Sequence, residues 1–444
     1  MGCHRATDSQ RIAGYPDWLL SAHVPLSVRR FLFNASSMKL LVYGINFAPE
    51  LTGIGKYSGE MVAWLAARGH EVRVITAPPY YPEWKVHSGF SSKHYRRETW
   101  NGAEVFRTPL WVPGKVNGLR RLVHLASFAL ASIPTLVAQW RWKPDVVWMT
   151  EPPLFCAPAA LAFAGLRSTK AWLHIQDYEV DAAFELGLLK GARLRGFITT
   201  IERALLRRFD RVSTISQRMI ERAQSKGVEP SRLVSFTNWA DVNAIRPLAT
   251  SSPFRAELGI ADDAVVALYS GNMGGKQGLE LLAEMATMLR DASNIVFVFC
   301  GNGGGRADLM AQCANLRNVH FMDLQPVERL GDLLGLADVH LLPQRADAAD
   351  LVMPSKLTGM LSSGRPVLAG ARPETELGQV VATCGSVVPP EDARAFSDAL
   401  LTLASQPELR HALGRKAREV AENRFALDAV LARFEKDLLA CIAG

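Results

Sequence analysis

From Met38 onward, apolar and polar positions fall into a repeating order: a short apolar run, a loop carrying glycine, an apolar stripe at helical spacing, and another apolar run. Leu40 to Tyr43 reads as the first strand. Pro49 to Gly55 reads as its loop, Met61, Trp64 and Leu65 fall on one face of a helix that Arg68-Gly69-His70 ends, and Val72 to Thr76 reads as the second strand. Strand, crossover helix and strand in this order build a parallel sheet. Further strands are expected at Val146 to Met149, Ala171 to Ile175 and Val212 to Ile215.

After Phe236-Thr237-Asn238-Trp239-Ala240-Asp241 the pattern lapses into a polar stretch that runs through Ser252-Pro253 and reads as a linker. A second series then begins with Ala264 to Tyr269, the loop Ser270 to Gly278, and a helix carrying Leu279, Leu282, Met285, Ala286 and Leu289. Strands at Ile295 to Cys300, Val339 to Leu342 and Pro366 to Ala369 complete it. The pattern predicts an α/β protein of two doubly wound, Rossmann-like domains facing across a cleft, residues 38–240 and 241–424. The last segment, 425–444, carries Leu427, Val430, Leu431, Phe434 and Leu438 on one helical face and is expected to pack as a closing strut. Residues 1–37 have neither a period nor a signal-peptide pattern, and read as a disordered leader or a misassigned start.

Composition narrows the class. The chain has 444 residues, 48% of them hydrophobic and 21% charged, which excludes a disordered or low-complexity protein. Six cysteines lie far apart without Cys-x-x-Cys, so neither a zinc site nor a disulfide framework is indicated, and the reducing cytoplasm is the expected compartment. The net charge of +7 is unevenly spread. Residues 1–246 hold 32 Lys+Arg against 19 Asp+Glu, and residues 247–444 hold 18 against 24. A basic first half calls for an anionic partner, either a membrane surface or a phosphorylated substrate. The chain carries no recognisable nucleic-acid motif, which argues against nucleic acid. Leu122 to Ala138 is uncharged but interrupted by His124 and Pro134, and Arg120, Arg121, Arg141 and Lys143 flank it. It reads either as a buried helix or as a shallow interfacial contact, and its basic setting favours peripheral attachment to the cytoplasmic face of an anionic inner membrane.

Several segments could carry chemistry. The loop Gly53-Ile54-Gly55-Lys56 opens a helix after a strand, where backbone N–H groups attract anions, although Ser58 replaces the third glycine of a dinucleotide fingerprint. Lys276 follows the small-residue loop that contains Gly271 and Asn272, and Pro354-Ser355-Lys356 opens another helix that Ser355 could cap. Two such anion sites in one half suit a nucleotide diphosphate. The segment His174-Ile175-Gln176-Asp177-Tyr178-Glu179-Val180-Asp181 follows a strand at the expected cleft edge. There Asp177 or Glu179 could position a hydroxyl or act as base, and His174 could bind a sugar or sit in the core. Glu151-Pro152-Pro153 is a weaker candidate of the same kind. The chain has no Asp-x-Asp pair to hold a metal-bound diphosphate, so neither a metal nor a cofactor is expected.

Tyr43 to Tyr57, Ala77-Pro78-Pro79-Tyr80-Tyr81-Pro82, His174 to Asp181, Tyr269-Ser270-Gly271-Asn272 and Pro354-Ser355-Lys356-Leu357 together resemble the fucosyltransferase-type enzymes of colanic acid biosynthesis in glycosyltransferase family 4. The resemblance runs from Met38 to the end. It implies a GT-B fold, a nucleotide-sugar donor (GDP-L-fucose) held by the second domain, an undecaprenyl-diphosphate-linked glucose acceptor met by the first, and retention of anomeric configuration. It also implies that Gly53 and Gly55 form the family's glycine loop, that Lys276 contacts phosphate, and that Ser355 and Lys356 form the turn at the diphosphate. The family's paired glutamates are absent: Gly359 and Leu351 stand in their places, with Asp350 one position away as a substitute for the sugar contact. That loss leaves open a non-catalytic nucleotide-sugar-binding assembly protein; a sugar-nucleotide epimerase on the same fold and an L-fucosamine or other UDP-sugar transferase are the further alternatives.

Overall fold

A computed structural model of the chain describes residues 37–51, 53–114, 118–185, 191–274, 277–345 and 354–444. Among these, fourteen strands form two sheets. The first contains β1 (Lys39–Tyr43), β2 (Glu71–Thr76), β3 (Arg96–Trp100), β4 (Ala103–Arg107), β5 (Val146–Glu151), β6 (Lys170–Ile175), β7 (Arg211–Thr214) and β8 (Leu233–Ser235). Its order is β3-β4-β2-β1-β5-β6-β7-β8, parallel throughout except where β3 returns antiparallel to β4. The second contains β9 (Val265–Ser270), β10 (Ile295–Cys300), β11 (Val319–Met322), β12 (Val339–Leu342), β13 (Val367–Gly370) and β14 (Gly385–Val388), ordered β11-β10-β9-β12-β13-β14 and wholly parallel.

The expected strands are present, most displaced by a single residue. Five further strands do not stand out in the apolar pattern: the β3–β4 hairpin and the short β8, β11 and β14. In each sheet the strand order reverses beside the first strand, between β1 and β5 and between β9 and β12. Ligands of doubly wound folds bind outside the carboxyl ends of the strands at such points.

The helices α1 (Gly53–Ala67), α2 (Gly118–Ala138), α3 (Ala157–Arg167), α4 (Glu179–Glu185), α5 (Ala192–Leu206) and α6 (Gln217–Ser225) flank the first sheet. Right-handed crossovers put α2, α3, α5 and α6 on one face, because each leads its strand in the same direction across the sheet, and α1 on the other. The second domain contains α7 (Pro253–Leu258), α8 (Glu280–Met288), α9 (Arg306–Gln312), α10 (Leu330–Leu336), α11 (Lys356–Ser362), α12 (Glu376–Ala382), α13 (Ala393–Ser405) and α14 (Pro407–Val420).

The last helix, α15 (Leu427–Ala443), leaves the second domain and returns to the first. Its Leu427, Val430, Leu431, Phe434 and Leu438 join a core that contains Leu40, Val42, Trp64, Trp148 and Trp172. Phe434 stacks on Phe236 at 4.0 Å between ring centroids. Polar contacts fix the register. Trp64 Nε1 donates to Asp428 at 2.8 Å, and Glu435 takes both Arg68 Nε at 2.8 Å and His70 Nε2 at 2.7 Å. The chain thus crosses between domains twice, and the two crossings pair: Ala240 N donates to Phe425 O at 2.8 Å and Leu427 N to Ala240 O at 3.1 Å.

Candidate functional site

At the second switch point three loops converge. The loop after β9 lies backbone to backbone on the loop after β10: Gly271 N donates to Cys300 O at 3.0 Å, Met273 N to Asn302 O at 2.9 Å and Gly305 N to Met273 O at 2.8 Å. A Cβ at Gly301 would collide with the carbonyl oxygen of Gly271, so the approach requires glycine there. Asn272 contributes its carbonyl to the Tyr269 hydroxyl at 2.6 Å. The third loop follows β12 and leads into α11, whose first residue is Lys356.

The Lys356 side chain passes beside Gly271 and ends over the Tyr269 ring, 4.3 Å from Nζ to the centroid. Its Nζ is buried and has no hydrogen-bond partner among the described residues, and burial pushes its pKa down to about 8. The side-chain oxygens of Gln277 and Gln344, in the adjoining loops, are likewise buried without a partner among the described residues. Neither glutamine was singled out from the sequence, because an amide in a loop carries no pattern until its burial is known. The expected cap by Ser355 is not made. Ser355 already has helical φ and ψ of −58° and −28°, whereas a capping side chain needs extended backbone to reach the first amides. Gly359, in the place of the family's second glutamate, faces inward on α11 near Leu334. Lys276, Asp350 and Leu351 lie outside the described residues.

At the first switch point the organising group is Glu50. Its Oε1 accepts from the amides of Tyr80 and Tyr81 at 3.0 Å each, and its Oε2 from Asn46 Nδ2 at 2.9 Å. Burial outweighs these bonds and raises its pKa. Gly55 packs directly on it, since a Cβ there would lie 2.5 Å from Glu50 Oε2. Gly53 begins α1 with a φ of +57°. Lys56 is engaged: its Nζ lies 3.8 Å from Glu60 Oε1 and 5.1 Å from the Tyr57 ring centroid. Burial opposes its charge, but the Glu60 carboxylate, with Tyr57 and Asp241, prevails and raises its pKa. Glu60 also accepts from Trp239 Nε1 at 2.7 Å, which ties the loop to the domain crossing.

The His174–Asp181 segment divides into buried and exposed members. His174 is a core residue, not a group open to substrate, which corrects the sugar-binding alternative. Its ring stacks on Trp148 at 5.2 Å, Nδ1 meets Ser213 Oγ at 2.9 Å and Nε2 meets Gln176 Nε2 at 2.9 Å. Burial pushes its pKa down to about 3, so the ring is neutral. Glu179 is buried as well, with Oε2 accepting from Leu154 N at 2.8 Å and burial raising its pKa. Glu151 lies beneath it, fully buried, its pKa driven well up by burial and by the Glu179 charge. Asp181 is held by Arg222 at 3.0 Å and Lys226 at 3.1 Å. Asp177 is exposed at the carboxyl end of β6.

Residues 52–239 match the glycosyl transferase 4-like domain, and residues 251–420 match glycosyl transferases group 1. Over 90% of its length the chain is 46% identical to the whole of a provisionally named colanic acid biosynthesis glycosyl transferase, WcaI, of Escherichia coli strain K12. Among solved structures, sucrose-phosphate synthase from Thermosynechococcus elongatus superimposes with a TM-score of 0.71 at 16% identity, covering 91% of this chain and 99% of that one. Anabaena HepE in complex with UDP and glucose superimposes with a TM-score of 0.64 at 14% identity, covering 91% of this chain and 100% of that one. At those identities the likeness establishes the two-domain GT-B fold.

Proposed function

Because the chain belongs to the glycosyltransferases that join a glycosyl transferase 4-like domain to a group 1 domain, we propose that it transfers L-fucose from GDP-L-fucose to an undecaprenyl-diphosphate-linked saccharide, with retention, in assembly of a colanic-acid-like exopolysaccharide. The choice of pathway rests on the 46% identity to WcaI. The observation that carries the chemistry is the buried Lys356 ammonium without a partner among the described residues, set at the switch point of the second sheet.

Breaking a glycosidic bond to a nucleotide diphosphate leaves negative charge on the departing oxygen, and fixed cations and amides aimed at that charge lower the barrier. In this reading the diphosphate lies between the Gly271-Asn272 loop and the start of α11, with Lys356 as its countercharge. Lys356 and the loop amides supply the stabilisation, so the reaction is proposed to need no metal. The glycine loop at Gly53 and Gly55 forms the opposite wall, with Lys56 turned toward Glu60. Asp177, exposed beside the buried His174 and Glu179, orients the acceptor hydroxyl or accepts its proton.

The acceptor's lipid suggests where the first domain lies. The outer face of α2 exposes Leu119, Val123, Leu130, Ile133 and Val137, while His124, Leu125, Phe128, Ser132 and Leu136 point inward. On the same side of the sheet α5 exposes Leu194, Phe197 and Ile201 beside Arg193 and Arg195. Apolar stripes fringed by arginine suit shallow insertion into an anionic leaflet, and we propose peripheral attachment at the cytoplasmic face of the inner membrane.

A thermal-shift comparison of GDP-L-fucose with UDP-sugars tests the donor. A ligand at a hundred times its dissociation constant adds about 2.7 kcal/mol of stability. GDP-L-fucose is expected to raise the melting temperature of the wild type and to lose most of that effect with Lys356→Ala; stabilisation by UDP-sugars alone would reassign the base.

A further inference from the structure

The carboxyl ends of the strands carry the proposed donor site, but a separate cavity of about 320 Å³ opens at the amino ends of β12 and β13. It lies between one face of α14, the residues that follow the C-terminal end of α11 and the linker residue Pro247, within the usual size range of small-ligand sites. Its charged residues are Asp338, Arg365, Arg410, His411, Arg415 and Arg418. This clustering runs against the composition of the region, where residues 247–444 hold 18 Lys+Arg against 24 Asp+Glu, yet four of those eighteen cations line one cavity.

Most of that positive charge is not neutralised among the described residues. The one carboxylate, Asp338, is already committed to Arg255 at 2.6 Å and to Val266 N at 2.9 Å. Arg418 is paired with Glu422 at 2.7 Å and further held by the carbonyls of Val242, Ile245 and Ser362. Arg410 is fixed by the carbonyls of Leu403 and Ala404 at 2.6 and 2.7 Å, which orient the guanidinium without cancelling its charge. Arg365 meets the carbonyl of Gly335 at 3.3 Å. Arg415 and His411 make no hydrogen bond or ion pair among the described residues. Three guanidinium groups therefore line the cavity without a counter-anion among the described residues, together with the His411 ring. Guanidinium groups held by carbonyls keep further N–H groups for an oxyanion in a planar, two-pronged arrangement.

We propose that this cavity binds a small, multiply charged oxyanion of the phosphate class, at a site separate from the donor cleft. The short helix α11 lies between the two places: Lys356 begins it at the cleft, and its C-terminal turn leads through Ser363 into Gly364 at the cavity wall.

Calorimetric titration of the full-length protein carrying both Lys356→Ala and Lys276→Ala with inorganic pyrophosphate tests the proposal, because those substitutions remove the two lysines assigned to the donor site and alter none of the residues that line the cavity. Pyrophosphate is expected to bind this double variant, and adding Arg365→Gln and Arg415→Gln is expected to weaken the interaction by at least about tenfold. Arg415→Gln alone changes only an exposed, unpaired side chain, so its expected several-fold loss is free of folding effects. Absence of pyrophosphate binding to the double lysine variant, or binding unaltered by the arginine substitutions, would overturn the assignment.

Discussion

The ammonium of Lys356 sits 4.3 Å from the centre of the Tyr269 ring, on the neighbouring side of the β9–β12 switch point. A cation over an aromatic face gains about 0.5–2 kcal/mol, but the ring carries no countercharge. Burial consequently lowers the pKa to about 8. A bound diphosphate would favour the charged form and raise it again. Nucleoside diphosphate affinity is therefore expected to hold up to about pH 8 and to fall as pH rises through 8 to 10, with the lysine losing its proton. Lys356→Arg should flatten that profile, since arginine stays charged. Affinity independent of pH in the wild type would contradict it.

Gly55 against Glu50 offers a test of the first-domain loop. The carboxylate is anchored by three donors, so it cannot swing away from a methyl group placed 2.5 Å from its oxygen. Gly55→Ala should destabilise by about 1–3 kcal/mol, the range for forcing atoms into a packed site. Denaturant melts of the variant and wild type give the value; a difference under a few tenths would mean that the loop is slack.

Two buried histidines contribute to the acid response. His174 and His340 each have a pKa pushed down by burial to about 3, against about 6.5 when unfolded. Between these values the unfolded chain binds more protons, so stability is fully present above pH 6.5 and is lost as pH falls below it. Each contributes a slope of about 1.4 kcal/mol per pH unit. The melting temperature should drop more steeply between pH 6.5 and 5 in the wild type than in His174→Phe. Parallel curves would assign the acid sensitivity to other groups.

The proposed membrane attachment rests on the outward stripe of α2. Leu130 and Val137 are 69% and 57% exposed, so aspartate at both positions should leave the melting temperature unchanged. Flotation of the wild type with vesicles containing anionic lipid is expected to exceed that of the double variant and to weaken with salt, as surface electrostatics do. Equal recovery of both proteins, or of the wild type with neutral vesicles, would sink the proposal.

The sequence made the architecture readable where local pattern decides it. Buried parallel strands such as Val146–Glu151 and Val265–Ser270 announce themselves as apolar runs. The β3–β4 hairpin does not, because Arg97 pairs with Glu104 and Arg107 with Glu98 across it, Arg96 meets Glu98 along β3, and these charges hide the apolar alternation, although Asn101-Gly102 marks the turn. Lys356 could be picked out from its place before a helix, but its burial depends on Tyr269 from a strand far back in the chain. His174 was ambiguous for the same reason. Trp148 comes from β5 and Ser213 from β7, and only the register of three strands brings them onto one ring.

The central claim is tested most directly by measuring transfer of labelled fucose from GDP-L-fucose to an undecaprenyl-diphosphate-linked saccharide by the wild type and by Lys356→Ala. The wild type is expected to form labelled lipid-linked product, and Lys356→Ala to lose about 100- to 1,000-fold in turnover with its melting temperature preserved, the scale for removing one group that stabilises transition-state charge. Product formed at equal rates by both proteins, or no product from the wild type under conditions where GDP-L-fucose binds, would contradict the account.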